Sequence, residues 1–187
     1  MAAQVVCISR TDASLGEEVG TLVAERLSFQ YVDEQVIERA ARLAQVDPKL
    51  VAAVEKRQPL LRGLLDKLAA ARDLIQAAIQ QIAKDGRAVI VAHAASMTLG
   101  AQARVVRVLV TASAETRARR VAAAHGITAA AAAAAVASYD RNRQDYLRRF
   151  HNISEELPTH YDVVVNTDVL TAEQATDVIV CAAGARS

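Results

Sequence analysis

Aromatic residues are scarce in this 187-residue chain, which has no tryptophan, two phenylalanines and four tyrosines. So few rings provide no platform on which the bases of single-stranded nucleic acid could stack. The formal net charge is only +1, which also argues against a surface dedicated to a polyanion. We therefore expect no nucleic-acid partner.

Long uncharged hydrophobic runs are absent as well. No stretch approaches the roughly 18 apolar residues of a membrane span, and no basic region followed by an apolar core stands at the N-terminus. We expect neither a membrane span nor a secretory signal, and a cytoplasmic location follows as the default.

Cysteine is limited to Cys7 and Cys181, which lie in apolar stretches far apart in the sequence. Neither C-x-x-C nor H-x-x-x-H spacing, which would indicate zinc, occurs in the chain. Both thiols are predicted to be small buried core residues, and no metal site is predicted.

Hydrophobic residues make up 52% of the chain and fall into strand and helix patterns. Continuous β-branched runs predict strands at 4–9, 87–92, 104–111 and 161–167, with a short extended piece near Tyr31. Helical spacing predicts helices at 16–28, 34–45, about 60–84, 113–125 and 128–149, and one that opens at the capping box Thr171-x-x-Gln174. This alternation predicts an α/β fold in which a parallel sheet carries helices on both faces.

The segment ISRTDASLGEEVG, residues 8–20, joins the first strand to the first helix. An anion would bind there, because a helix N-terminus offers free N–H groups and a positive dipole end. The pattern G-x-x-x-x-G-K-[ST] is absent, however, and Ser14-x-x-Glu17 fits a capping box that would occupy those N–H groups. A capped connection and a phosphate loop are both compatible with this stretch.

Arginine is concentrated in residues 101–150, where nine arginines stand against three acids, a local balance of +6. Guanidinium forks match the geometry of phosphate oxygens. The cluster therefore fits either an anion-facing surface or a solvated helix face with scattered ion pairs. His93 ends a predicted strand at the edge of the sheet where ligands bind, and we find no Ser–His–Asp arrangement.

Five segments in a fixed order carry a resemblance to a known family. They are ISRTDASLGEEVGTLVAERLSFQYVD; AVIVAHAA; VLVTASAETRARRV, with Arg117 and Arg120; YDRNRQDYLRRF, with Asp140, Arg143 and Tyr146; and YDVVVNT. Together they cover nearly the whole chain, which resembles the cytidylate kinase-like family, a branch of the P-loop nucleoside monophosphate kinases. The resemblance implies a single domain over 1–187 with a three-layer P-loop kinase fold and a five-stranded parallel sheet. It further implies a helical acceptor-side insertion at about 34–85 and a lid-like segment at 128–152.

The resemblance also implies roles for individual residues. The cofactor site would comprise Arg10, Ser14, Gly16 and Glu17, and the acceptor site Asp33 and His93. The catalytic clamps would be Arg117, Arg120, Asp140, Arg143 and Arg149. The implied cofactors are ATP and Mg²⁺, and the implied partner is a nucleotide or another phosphate-bearing small molecule.

Several positions depart from the family pattern. The family's loop resembles G-S-G-G-R-E where this chain has Ala13 to Glu18, so that Leu15 replaces a glycine and Glu17 an arginine. The family's G-R-G corresponds to residues 92–94, Ala-His-Ala, and the loop has no lysine. We interpret the chain as a weak nucleotide or anion binder with little or no kinase activity. The alternative is an active ATP-dependent kinase of nucleoside monophosphates or small molecules, and the long helix at 60–84 could bury either a core stripe or a homodimer face.

Overall fold

The computed structural model describes residues 3–33, 65–92 and 95–184. Strand β1 (Val5–Arg10) leads into helix α1 (Gly16–Leu27) and strand β2 (Gln30–Val32). Helix α2 (Leu65–Asp85), strand β3 (Ala88–Val91), the short helix α3 (Ala95–Leu99) and strand β4 (Val105–Thr111) follow. Helices α4 (Ala114–His125) and α5 (Ala129–His151), a 3₁₀ turn (Pro158–His160), strand β5 (Val163–Asn166) and helix α6 (Ala172–Gly184) complete the described chain.

The five strands form one parallel sheet in the order β2-β3-β1-β4-β5. Central strand β1 pairs with β3 from Val5 to Ile8 and with β4 from Val5 to Arg10. Because parallel strands all end at the same edge, residues that follow β1, β4 and β5 meet there. The predicted α/β fold with a five-stranded parallel sheet is confirmed.

Side chains of β1 alternate between two cores, as the period of a strand requires. Val5 and Cys7 pack with α2 and α3, whereas Val6 and Ile8 pack with α1 and α6. Helix α1 lies close to the sheet at Gly20, where an added Cβ would come within 2.4 Å of Val91 Cγ2. A glycine at this position therefore fixes how near the loop before α1 sits to the strand ends.

Capping residues mark the beginnings and ends of several helices at the positions that the sequence indicates. The Ser113 side chain accepts from the N–H of Thr116, and Thr128 accepts from Ala131 in the same way. Gly126 ends α4 at φ 64°, a conformation that glycine adopts without steric cost. The Thr171–Gln174 capping box is present with both hydrogen bonds, at 3.0 and 3.3 Å.

Some predictions need correction. Cys181 is exposed on α6, because it falls outside the buried stripe of that helix; only Cys7 is buried. The helix α3 was not predicted, because its five residues are too few to show a helical period. The predicted helix at 34–45, the first residues of the 60–84 helix and most of the 34–85 insertion lie outside the described residues.

None of the described helices is, taken singly, long and apolar enough to cross a membrane. The segments Ala114–His125 and Ala129–Arg149 reach that length and composition only together, and they are bent by 118° to each other.

Candidate functional site

The loop between β1 and α1 has an unusual backbone. Ala13 and Leu15 adopt left-handed conformations, with φ of 56° and 66°. Leu15 is the N-cap of α1, and no side chain caps the helix. The predicted Ser14–Glu17 capping box is therefore wrong. The Ser14 side chain is fully buried, and its hydroxyl instead donates toward the carbonyl oxygens of Thr11 (2.8 Å) and Val110 (3.0 Å).

This backbone leaves the first turn of α1 open. The first backbone hydrogen bond there runs from the N–H of Val19 to the carbonyl of Leu15, at 2.9 Å. Among the described residues, the N–H groups of 15–18 have no acceptor. Uncapped N–H groups at a helix start, preceded by left-handed residues, form a concave anion-binding arrangement.

Arg10 extends over this helix start. An added Cβ on Gly16 would come within 2.5 Å of Arg10 Cβ and 2.7 Å of Arg10 Cδ, so the arginine stem lies directly against the glycine. The Arg10 guanidinium pairs with Glu17 at 2.5 Å and donates to the Tyr139 hydroxyl at 3.4 Å. The loop thus has a cation beside its open N–H groups, but one of its own carboxylates neutralises that cation.

Hydrogen bonds from helix α4 and from the end of β5 hold the loop between β1 and α1 in place. The guanidinium of Arg120 on α4 donates to the Ala13 carbonyl at 3.0 Å and to the Thr167 carbonyl at 2.6 Å. The Thr167 hydroxyl donates toward the carbonyls of Ser14 (2.9 Å) and Thr111 (3.2 Å). The loop carbonyls are therefore tied to α4 and to the end of β5.

Arg117 and Asp140 form a bidentate salt bridge that joins α4 to α5. Arg117 Nη1 and Nη2 lie 2.9 and 2.7 Å from the two oxygens of Asp140, and Nε donates to the Ala112 carbonyl at 3.0 Å. The Arg117 side chain is buried, whereas Asp140 is partly exposed. Three of the five N–H donors of Arg117 are therefore engaged within the protein.

Arg143 on α5 is almost fully buried, with a 4% exposed side chain. Its Nε and Nη2 lie 2.9 and 2.5 Å from the carboxylate oxygens of Glu156, which also accepts from the Tyr161 hydroxyl. Burial opposes ionisation of Glu156, but the bonds and charge of Arg143 outweigh it and lower the pKa of the carboxyl. Burial, and then the charge of Glu156, raise the pKa of Tyr161. At neutral pH this cluster is an ion pair beside a neutral tyrosine.

The lowered pKa of Glu156 predicts a pH-dependent contribution to stability. A carboxyl whose folded pKa lies below its unfolded value stabilises the fold above the unfolded pKa and loses that contribution as pH falls. We expect Glu156→Gln to lower the free energy of unfolding most at pH 7, and the deficit to shrink below the ordinary carboxyl value of 4.5. Urea titrations of both proteins between pH 3.5 and 7 measure this; a deficit independent of pH would contradict it.

The structure describes two of the remaining predicted site residues, Arg149 and Asp33. Arg149 is exposed near the end of α5 and has no partner among the described side chains. Asp33 follows β2, and its carboxylate lies 3.5 Å from the Tyr31 hydroxyl. Burial, reinforced by Asp33, raises the pKa of Tyr31 to about 12. His93 lies outside the described residues.

A cavity of about 240 Å³ opens beside the loop. Its lining combines the first loop residue, both arginine–carboxylate pairs and the turn after α5: Thr11, Arg117, Asp140, Arg143, Gln144, Leu147, Ile153, Ser154, Glu155 and Glu156. The structure therefore brings three predicted site residues together with Thr11 around one space.

The donor sets fit the implied cofactors unequally. Open N–H groups and Arg10 suit the phosphates of ATP. No three His, Cys, Asp or Glu side chains gather as metal ligands in the part of the chain that is described, so any Mg²⁺ would be held mainly by phosphate oxygens and water.

Several residues of this region were not predicted from the sequence. Thr167 ends a predicted strand at the ligand-binding edge, and that position could have singled it out. Glu156 and Tyr161 lie in the irregular stretch around Pro158, where no period marks a partner. Thr11 and Tyr139 carried no signal beyond their polarity.

Comparison with solved structures identifies the fold. An uncharacterized protein from Eubacterium ventriosum is similar, with a TM-score of 0.72 at 18% identity, over 96% of this chain and 97% of that one. Shikimate kinase from Bacteroides thetaiotaomicron and a gluconokinase from Sinorhizobium meliloti each give 0.56 at 12% identity. They cover 95% and 97% of this chain, which covers 94% and 91% of theirs.

None of the curated proteins matches the chain. The family model of the cytidylate kinase-like family matches residues 5–169. The resemblance read from the five segments is thus confirmed, and the architecture is that of P-loop kinases such as shikimate kinase. The chain is a kinase-like protein and belongs to the cytidylate kinase-like family.

Proposed function

We propose that this protein binds the phosphate groups of a nucleotide at residues 11–18 and transfers phosphoryl groups slowly or not at all. The observation that carries binding is the loop backbone. Ala13 and Leu15 are left-handed, and the N–H groups of residues 15–18 have no acceptor among the described residues, at the positive end of α1 and beside Arg10. Such an arrangement holds an anion mainly through backbone donors.

The charges of the same region support weak transfer. Catalysis of phosphoryl transfer consists mainly of positioning and of neutralising charge on the phosphates. The loop has no lysine, and Glu17 brings a carboxylate to within 2.5 Å of the Arg10 guanidinium. The guanidinium of Arg117 is paired with Asp140, and that of Arg143 with Glu156. Within the described part of the chain, these pairs leave few cations for a transferring phosphate.

The cavity beside the loop favours a second candidate, an active kinase of a small acceptor. Thr11 belongs to the loop and also lines the cavity, so an acceptor in the cavity would lie next to a phosphate held by the loop. In this version the segment 128–152 acts as a lid, and Arg149 supplies the cation, because it has no partner among the described residues. The acceptor would be a nucleoside monophosphate, or a small hydroxyl compound such as those that shikimate kinase and gluconokinase are named for.

Binding and turnover assays separate the two. We expect calorimetric titration to show that ATP, CMP and phosphate bind with Kd between about 0.1 and 10 mM. Incubation with ATP, Mg²⁺ and a panel of monophosphates, shikimate or gluconate should release ADP far more slowly than the roughly 1–100 turnovers per second of typical kinases. Acceptor-dependent ADP release within that range would establish the active kinase, whereas absence of binding to any phosphate compound would refute both candidates.

A further inference from the structure

Two residues of the loop are held in a backbone conformation that their side chains disfavour. Ala13 and Leu15 have φ of 56° and 66°, and neither is glycine, asparagine or aspartate. A residue with a Cβ meets steric opposition in this region and stays there only where the surrounding structure holds it. The loop therefore needs an external support that a glycine-rich loop could do without.

Arg120 and Thr167 provide contacts of that kind. Arg120 Nη1 donates to the Ala13 carbonyl at 3.0 Å and to the Thr167 hydroxyl at 3.1 Å, while Nη2 donates to the Thr167 carbonyl at 2.6 Å. The Thr167 hydroxyl lies 2.9 Å from the Ser14 carbonyl. Thr167 is itself 1% exposed, so this support is anchored in the protein interior.

These contacts also orient the N–H groups. In a trans peptide the carbonyl and the following N–H point in opposite directions. Holding the Ser14 carbonyl against Thr167 turns the N–H of Leu15 away from Thr167, and that N–H has no acceptor among the described residues. The contacts that hold the strained residues thus leave the loop's donors available to a ligand.

We propose that Arg120, acting with Thr167, is a positioning residue that keeps the loop in its anion-binding conformation, and is not itself a clamp on the phosphate. The proposal rests on the proposed function for the identity of the ligand. Both hydrogens of Arg120 Nη1 are directed at protein oxygens, which leaves this nitrogen no donor for phosphate. Arg120 would thereby compensate for the missing loop glycines.

The neighbouring arginine is a matched control. Arg119 lies on the same helix with a 66% exposed side chain, 3.7 Å from Glu115, and donates to the Thr116 hydroxyl at 3.2 Å. Arg119→Gln removes the same charge one residue away. Ala13→Gly is the rescue variant, because glycine adopts the left-handed conformation without support.

The experiment measures loop conformation and ligand binding separately. Backbone amide resonances of Leu15 and Gly16 are recorded without ligand, and inorganic phosphate is then titrated. We expect Arg120→Gln to shift both resonances and to weaken phosphate binding about tenfold, the effect of one charge-assisted hydrogen bond. Ala13→Gly in the Arg120→Gln background should restore most of the affinity, and Arg119→Gln should change neither readout.

Each contrary result has its own meaning. Unchanged resonances in Arg120→Gln with weaker binding, and no rescue by Ala13→Gly, would overturn the proposal and make Arg120 a direct clamp. If the wild-type protein binds no phosphate, the proposed function fails, while the resonances still decide whether Arg120 holds the loop. If Arg120→Gln does not fold, Thr167→Val, which removes the bond to the Ser14 carbonyl, must shift the Leu15 resonance or the proposal is refuted.

Discussion

Replacing Arg143 by methionine should lower the free energy of unfolding by about 3–5 kcal/mol, the cost of leaving a buried charge without its partner. The Arg143 side chain is 4% exposed and that of Glu156 is 19% exposed, and their two contacts are 2.9 and 2.5 Å long. Methionine fills a similar volume, so the loss arises from the carboxylate and not from a cavity. Urea denaturation followed by circular dichroism at pH 7 measures the change.

A surface arginine on the same helix gives the control. Arg148 pairs with Asp145 at 2.7 Å, but its side chain is 62% exposed, and solvent screens such pairs. Arg148→Met should therefore change stability by less than about 0.5 kcal/mol. The double variant Arg143→Met with Glu156→Leu should regain much of the loss, because apolar replacement of both partners is often neutral. Equal losses in Arg143→Met and Arg148→Met would contradict this account.

The strands and helices were predictable because residues close together in the sequence determine them. The buried strands are rich in apolar residues, as in β3, where all four residues are apolar and buried. The caps at Ser113, Thr128 and Thr171 lie next to the groups they satisfy. Contacts that span three residues need no tertiary information, so the sequence is sufficient for them.

The conformation of the loop could not be predicted in this way. Ser14 and Glu17 have the spacing of a capping box, but their side chains had other partners in the fold. Ser14 turns inward to a carbonyl of β4, 96 residues away, and Glu17 turns to Arg10 at the end of β1. A local motif competes with every tertiary partner in reach, and the buried carbonyl and the nearby cation favoured those partners here.

The arginine cluster shows the same limit for charge. A local balance of +6 suggested cations facing an anion, or ion pairs across a solvated face. The structure instead buries Arg117 and Arg143 against carboxylates, and the partner of Arg143 lies 13 residues away, beyond the end of its helix. Counting charges within a segment cannot show which of them the fold neutralises.

The carboxylate of Glu17 should be what most weakens phosphate binding at the loop. It lies 2.5 Å from the Arg10 guanidinium and would have to share that cation with any bound anion. We expect Glu17→Gln to raise the affinity for inorganic phosphate about tenfold, since a like charge is removed and a guanidinium is released. Titration at low and high salt checks the origin of the gain, which should diminish as ions screen the partly exposed pair.

Glu18 provides the comparison, because it lies one residue along in the same helical turn, is exposed, and has no partner among the described residues. Glu18→Gln removes the same charge from the same end of the helix dipole without releasing Arg10, so its gain should stay below about threefold. Equal gains in the two variants would show that Arg10 does not contribute.

ATP turnover should remain at background in Glu17→Gln, because removing a carboxylate supplies no lysine to the transferring phosphate. Activity in this variant would show instead that Glu17 alone suppresses a competent kinase.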